Sequence, residues 1–134
     1  METGKSALGL DGNLAAALGY PISIVAIICL IMDKENRFVK FHALQSILLW
    51  VAGLVVGIAL WIIGIILFVA GIAASVATNS GALGSLVGAL FGLIWLVFVL
   101  AFLAGIIFAA VKAYGGNYFK LPVIGNMAEK FANK

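Results

Sequence analysis

Charged residues divide the chain into long apolar runs. Residues 12–32 carry no charge, and a second uncharged run extends from 41 to 111, with His42 counted as neutral. A helix of about 20 apolar residues crosses the hydrocarbon core of a bilayer, which is about 30 Å thick. The first run therefore predicts one crossing, whereas the second is too long for a single crossing and must turn back. The turn signal Thr-Asn-Ser-Gly at 78–81 divides the second run.

These runs predict an all-α integral membrane protein with three transmembrane helices, built as a single membrane domain. The predicted order over residues 1–134 is a first transmembrane helix near 13–32, a cytoplasmic loop at 33–41, a second helix near 42–77, an outer turn at 78–82, a third helix near 83–113 and a cytoplasmic tail at 114–134. We interpret Pro21 as a kink within a continuous first crossing, because membrane helices tolerate proline. Whether the second helix is continuous stays open.

The tail predicts a short amphipathic helix at the membrane surface. Asn126 and Glu129 have the spacing of a capping box. Met127 and Phe131 fall on one face of the helix that would follow, with lysines on the other. We therefore expect an interfacial helix on the cytoplasmic leaflet, with a frayed tail as the alternative.

The composition agrees with a membrane protein and excludes other classes. Hydrophobic residues make up 65% of the chain and charged residues only 10%, whereas a typical globular domain carries about 25% charged residues. The mean hydropathy is +1.24. A soluble monomer and a disordered chain are therefore excluded. Clustered basic residues on a solvated fold are not seen, so we expect no nucleic-acid partner.

The basic residues predict the orientation in the membrane, because Lys and Arg favour the cytoplasmic side. With three crossings, one side collects seven basic residues and the other side one. The residues on the basic side next to the predicted helices are Lys34, Arg37, Lys40, Lys112 and Lys120. We therefore predict a multi-pass protein of the cell membrane, with its N-terminus outside and its C-terminus in the cytoplasm.

Small residues line one face of each of the last two predicted helices. The glycines on these faces are Gly53, Gly57, Gly64 and Gly71 in the second helix and Gly84, Gly88 and Gly92 in the third. In lipid, helices associate where small residues let two backbones approach. We expect the two glycine faces to pack within one chain. The alternative is that one face binds a second copy.

The one concentrated polar group is formed by His42, Gln45 and Ser46, which share a helical face. One hypothesis makes them a proton- or ligand-sensing site at the cytoplasmic mouth of the helix bundle. The other has them hydrogen-bond the C-terminal segment or the first loop. The sequence shows no catalytic constellation, no cofactor motif and no metal-ligand set, and the lone Cys29 is expected to be a small buried residue.

Two segments resemble a known family. They are 35–46, Glu-Asn-Arg-Phe-Val-Lys-Phe-His-Ala-Leu-Gln-Ser, and 118–129, Tyr-Phe-Lys-Leu-Pro-Val-Ile-Gly-Asn-Met-Ala-Glu. They resemble a family of small prokaryotic membrane proteins of unknown function, which is grouped with the Tic-twenty-like component of chloroplast protein import. The resemblance extends from Leu10 to the end of the chain. It implies a small polytopic helical protein, and the chloroplast relative is regarded as part of a four-helix translocation channel.

We therefore expect a non-enzymatic integral membrane protein without a cofactor or metal. It would act by helix packing in the lipid bilayer, with itself as a homo-oligomer or with other membrane proteins. The alternative is an oligomeric channel or protein-translocation component, with His42, Gln45 and Ser46 at its mouth.

Overall fold

The computed structural model describes residues 3–134. The helices in this range are α1 (Gly12–Leu18), α2 (Ser23–Met32), α3 (Arg37–Ala77), α4 (Ala82–Tyr114) and α5 (Ile124–Ala132). The β pairing found in the same range is an isolated bridge between Lys5 and Asp11. The prediction of an all-α fold is therefore confirmed for the described residues.

Two of the described helices, and not three, are long and apolar enough to cross a membrane. These are α3 with 41 residues and α4 with 33. The single helix predicted at 13–32 is not formed, because the helix breaks at 19–22 around Pro21 and leaves two helices that are each too short to span. Proline has no N–H to donate and its ring clashes with the preceding turn. The prediction that the N-terminus lies outside depended on three crossings, so it loses its basis.

The long helix α3 begins at Arg37 and runs without interruption to Ala77. The side chain of Asn36 caps its first turn, since Asn36 Oδ1 accepts a hydrogen bond from the backbone N–H of Val39 at 3.1 Å. Arg37 and Lys40 therefore lie in the helix and not in the loop that the sequence predicted at 33–41.

Helix α4 ends in a C-terminal cap that depends on a glycine. Gly116 has a φ of 78°, which is the left-handed conformation that closes many helices. The N–H of Asn117 donates to the carbonyl of Lys112 and that of Gly116 to Ala113, both at 3.0 Å. These two bonds satisfy carbonyls at the end of α4 and turn the chain into residues 115–123, here called the connecting segment.

The chain forms two compact units. Unit 1 consists of Met1–Ala52 with Leu103–Lys134, and unit 2 of Gly53–Phe102. Every charged residue among residues 3–134 falls within unit 1, and residues 53–102 carry none. Buried aromatic side chains, such as Tyr20 and Phe41, also belong to unit 1.

Unit 2 is an antiparallel hairpin formed by parts of α3 and α4. The glycines of α3 contact α4 in four matched pairs, which are Gly53 with Phe102, Gly57 with Phe98, Gly64 with Phe91 and Gly71 with Gly84. Each step along α3 is matched by an equal step back along α4. The register is therefore regular from the base of unit 2 to the turn at residues 78–81.

Candidate functional site

Four polar side chains meet in the interior of unit 1 and form what we call the polar cluster. Its members Tyr20, His42, Gln45 and Ser46 have exposed fractions of 0%. His42, Gln45 and Ser46 come from one face of α3, as their i, i+3 and i+4 spacing predicts. Tyr20 comes from the break between α1 and α2. The cluster thus joins the break to α3.

The hydrogen bonds of the cluster fix the protonation of the histidine. Gln45 Nε2 donates to the Tyr20 hydroxyl at 2.7 Å, and the same hydroxyl lies 2.8 Å from His42 Nδ1. Burial raises the pKa of the Tyr20 phenol well above its ordinary value, although the Gln45 hydrogen bond acts in the opposite direction. The phenol keeps its proton. His42 Nε2 lies 2.9 Å from the carbonyl of Asn117, which can only accept, so Nε2 carries a proton and donates it. In the neutral imidazole, Nδ1 then accepts from the Tyr20 hydroxyl.

Gln45 holds the connecting segment through both ends of its amide. Its Nε2 donates to the carbonyl of Phe119 at 2.9 Å, and its Oε1 accepts from the N–H of Leu121 at 2.9 Å. One side chain thereby pairs with two backbone groups of residues 119–121, which lie outside the helices. Tyr118 adds an aromatic contact to Phe38, with ring centroids 5.1 Å apart.

Ser46 and Trp50 bind the backbone of the break between α1 and α2. Ser46 Oγ donates to the carbonyl of Gly19 at 2.6 Å, and Trp50 Nε1 donates to the carbonyl of Tyr20 at 2.8 Å. These carbonyls lie where the helical ladder is interrupted. The side chains of α3 therefore replace hydrogen bonds that the break removes.

The three predicted polar residues lie together, and each of them hydrogen-bonds the backbone of another segment. His42 and Gln45 hydrogen-bond the C-terminal segment, whereas Ser46 binds the carbonyl of Gly19, which lies in neither segment named in the second hypothesis. Within residues 3–134, every buried side-chain nitrogen and oxygen has a hydrogen-bond partner. Sequence reasoning missed Tyr20 and Trp50. The signal for Tyr20 was its place beside Pro21, where a helix break needs side chains to satisfy it.

A tight turn at Val123 leads into α5. Val123 has a φ of 64°, and the N–H of Ile124 donates to the carbonyl of Pro122 at 2.7 Å. This is the γ-turn with a positive φ at its central residue, which is the rarer and more strained of the two types. Its central residue, Val123, is β-branched. Helix α5 begins at Ile124, directly after this turn. The predicted capping box is therefore wrong, because Asn126 lies inside the helix.

Helix α5 packs through its small residues. Ala128 and Ala132 are buried against Phe41 of α3, whereas Met127 and Phe131 are 45% and 44% exposed. The side that faces α3 thus carries alanines, and the apolar residues predicted for membrane contact point outward.

A buried carboxylate that the sequence analysis overlooked binds residues 3–11, here called the N-terminal arm. Asp33 is 4% exposed. Its Oδ2 accepts from Ser6 Oγ at 2.8 Å, and its Oδ1 accepts from the N–H of Ala7 at 2.5 Å. Asn36 also donates to the carbonyl of Thr3 at 3.0 Å. The start of α3 therefore holds the arm in place.

The glycine face of α3 receives aromatic rings from α4. A methyl group on Gly64 would come within 2.6 Å of the Phe91 ring, and one on Gly53 would overlap Phe102. A methyl group built on Gly57 would lie 3.8 Å from the Phe98 ring, which is an ordinary van der Waals distance. Two glycine backbones meet only near the turn, where the Cα of Gly84 lies 3.4 Å from a methyl built on Gly71. At the other levels a glycine of α3 faces an aromatic ring of α4.

The remaining glycines of α4 face open space. No described atom lies within 4 Å of a methyl group built on Gly88 or Gly92. Gly88 instead borders an open groove of about 780 Å³ on the hairpin, which Gly71, Gly84, Ser75 and Ser85 also line. The glycine stripe of α4 is thus divided between the hairpin contact and this groove.

The basic residues assigned to the cytoplasmic side all belong to unit 1. Lys120 pairs with Glu129 of α5 at 2.6 Å, with both side chains about 40% exposed. Lys112 lies over the ring of Phe108, with Nζ 5.4 Å from its centroid. Lys34 and Arg37 are exposed, and Lys40 is half-buried. In the part of the chain that the structure describes, no three His, Cys, Asp or Glu side chains lie close enough to hold a metal ion.

The chain is similar to several known proteins over most of its length. A UPF0132 membrane protein of Methanocaldococcus jannaschii is 36% identical over 130 residues, which is 96% of both chains. A UPF0132 membrane protein of Archaeoglobus fulgidus is 34% identical over 119 residues, covering 88% of this chain and 92% of the relative.

A third relative is similar to the chain over a shorter stretch. The magnetosome protein MmsF of Paramagnetospirillum magneticum is 36% identical over 56 residues, which is 42% of this chain and 51% of that protein. No family profile matches the chain, and no solved structure matches it. The two long matches, with a helical fold that contains two apolar helices of spanning length, show that the chain belongs to the UPF0132 family of membrane proteins.

Proposed function

We propose that this protein is a non-enzymatic membrane protein whose hairpin of α3 and α4 packs against a second copy or against partner membrane proteins. The observation that carries the proposal is the open groove of about 780 Å³ beside Gly88. Helix association in lipid depends on small residues that let backbones approach. Gly88 and Gly92 offer such residues on a side of α4 that the hairpin contact leaves open.

The distribution of charge supports an orientation for this hairpin. All eight Lys and Arg residues lie outside residues 53–102, and the turn at 78–81 carries none. The positive-inside rule places such a basic end in the cytoplasm. We therefore propose two crossings with both termini on the cytoplasmic side and the turn outside. The revised orientation keeps the cytoplasmic C-terminus expected from the sequence and moves the N-terminus to the same side.

The amphipathic helix α5 fits this orientation. Its exposed Met127 and Phe131 lie next to Lys130 and Lys134, a combination that suits the headgroup region of a membrane. We propose that this face of α5 rests on the cytoplasmic leaflet, while its alanine face packs on α3.

The packing proposal is tested by a pair of neighbouring substitutions in α4. Gly88→Leu would fill the groove, whereas Ala89→Leu places the same side chain at an exposed position that does not line it. We expect native mass spectrometry from nanodiscs to show an oligomer for the unmodified protein and for Ala89→Leu, and a smaller species for Gly88→Leu. A monomer in all three samples would refute packing against a second copy, and an unchanged oligomer in Gly88→Leu would refute packing through the groove.

A second candidate is a channel or translocation component, as the Tic-twenty-like resemblance suggests. It is favoured by the polar side chains Ser75, Asn79 and Ser85 that line the same groove, because small polar groups can line pores. Proteoliposomes separate the two candidates. Ion or peptide flux that Gly88→Leu abolishes would support a channel, and an oligomer with no flux would support packing alone.

A further inference from the structure

Residues 12–32 leave and return to the same end of unit 1. Asp11, at the start of this uncharged run, pairs with Lys5 of the N-terminal arm at 2.8 Å. Asp33, at its end, accepts a hydrogen bond from Ser6 of the same arm at 2.8 Å. Both ends of the run are therefore held by one short segment, which a crossing of the membrane would not allow.

The same end of unit 1 contains the start of α3 and the end of α4. Asn13 Nδ2 donates to the carbonyl of Tyr114 at 2.9 Å, and Asn36 Nδ2 donates to the carbonyl of Lys5 at 3.0 Å. The first residues of α1 thus lie beside the last residue of α4. Asn36, the last residue of the loop after α2, thus lies beside the N-terminal arm.

Protein side chains hydrogen-bond the backbone carbonyls at the break between α1 and α2, as an environment without water requires. Non-helical backbone is tolerated at membrane depth only where protein groups satisfy it. The carbonyls of Gly19 and Tyr20 accept hydrogen bonds from Ser46 and Trp50, and the Tyr20 hydroxyl is bonded within the polar cluster. Side chains of α3 therefore do at the break what water would do on a soluble protein.

The outer face of α2 is large and apolar. Ile24, Ile27, Ile28 and Ile31 are 67%, 47%, 36% and 63% exposed, and their i, i+3, i+4 and i+7 spacing places them on one face. The inner face consists of small side chains, such as the fully buried Ala26. Contacts between membrane helices favour small residues. The isoleucine face therefore has the composition of a surface that contacts lipid chains, whereas the small face already packs within the protein.

We propose that α1 and α2 form a re-entrant pair that enters the membrane from the cytoplasmic side and returns, with the isoleucine face of α2 against the acyl chains of that leaflet. At about 1.5 Å per residue, the ten residues of α2 extend about 15 Å, half of a hydrocarbon core of about 30 Å. The proposal rests on the orientation proposed above for the hairpin of α3 and α4.

Spin labels test the contact with acyl chains. Cys29 is the one cysteine of the chain, so a Cys29→Ala background accepts single labels in lipid vesicles. We expect labels at Ile24→Cys and Ile31→Cys to be accessible to oxygen, which dissolves in lipid, and shielded from a water-soluble nickel chelate. Ala26→Cys is the inward control and should be shielded from both. High access of the nickel chelate to the isoleucine positions would overturn the proposal, and so would shielding from both reagents, which would indicate a protein partner.

Labelling from one side of the membrane tests the return of the chain. Ala7 and Glu35 are exposed on either side of the run, and Asn79 is exposed in the turn of the hairpin. We expect a membrane-impermeant maleimide to label Ala7→Cys and Glu35→Cys from the cytoplasmic side only, and Asn79→Cys from the other side only. Ala7 and Glu35 labelled from opposite sides would mean that residues 12–32 cross, which overturns the re-entrant pair. Asn79 and Glu35 labelled from one side would instead overturn the hairpin orientation on which it rests.

Discussion

The hydroxyl of Tyr20 lies 2.8 Å from Nδ1 of His42, although the two residues are 22 positions apart. This bond links a break in the N-terminal helices to the middle of the charged end of α3. Since His42 also donates to the carbonyl of Asn117, one imidazole connects three separate segments of unit 1. The histidine is therefore placed as a connector and not as a group that is open to solvent.

Removing the Tyr20 hydroxyl should destabilise the protein. Tyr20→Phe leaves His42 Nδ1 buried without its donor, and a buried polar atom without a partner costs about 1–3 kcal/mol. We expect the free energy of unfolding in detergent, measured by titration with a denaturing detergent, to fall by that amount. Tyr114→Phe is the control, because its side chain is 60% exposed. Equal stability of the two variants would contradict the hydrogen-bond arrangement.

The sequence could identify the polar face of α3 but not what it binds. His42, Gln45 and Ser46 share a face at spacings that any helix imposes, so their proximity follows from the sequence alone. Their partners Gly19, Tyr20 and Phe119 come from segments without regular structure. Such long-range pairs depend on how the whole unit folds.

The run at 12–32 shows where hydropathy misleads. Its length and lack of charge fit a crossing, and Pro21 alone does not decide between a kink and a break. The structure favours a break because Ser46 and Trp50 bind the carbonyls that are freed there. Those donors belong to another helix, so no local pattern within 12–32 could reveal the outcome.

The glycine pattern was informative for α3 and incomplete for α4. Gly57 and Gly64 lie seven residues apart, and so do Phe91 and Phe98, which contact them. The match between the two spacings was present in the sequence. It was missed because small residues were expected to meet small residues, whereas here rings fill the space that the glycines leave.

A methyl group at Gly64 should weaken the hairpin. In Gly64→Ala the new Cβ would lie 2.6 Å from the Phe91 ring, and overpacking of this kind costs about 1–3 kcal/mol. Gly88→Ala is the matched control, since no described atom lies within 4 Å of its new methyl group. That control gains helix propensity of up to about 1 kcal/mol. We expect unfolding in detergent to order the proteins Gly88→Ala, unmodified and Gly64→Ala, from most to least stable, and the reverse order would contradict the described register.

Replacing Gln45 should release the connecting segment. Gln45→Leu removes the amide that binds the carbonyl of Phe119 and the N–H of Leu121, while it keeps a side chain of similar size. We expect trypsin to cut after Lys120 at least several-fold faster in this variant, as followed by mass spectrometry.

The control for this experiment removes a different contact of the same segment. Glu129→Gln breaks the exposed pair with Lys120, and exposed ion pairs contribute about 0–1 kcal/mol. Cleavage in Glu129→Gln should therefore stay close to that of the unmodified protein. If Glu129→Gln were cut as fast as Gln45→Leu, the segment would be held by the ion pair and not by the amide.

Glycine at position 123 should raise stability, which is the opposite of its usual effect. The φ of 64° at Val123 is unfavourable for a β-branched residue and costs about 1–3 kcal/mol, whereas glycine adopts it freely. The added freedom of the unfolded chain offsets about 0.4–1 kcal/mol of that gain. We expect Val123→Gly to raise the midpoint of thermal unfolding. Val111→Gly, at an exposed position inside α4, should lower the midpoint, because glycine is less favourable than valine in a helix interior. A decrease in both variants would show that the turn at Val123 is not strained.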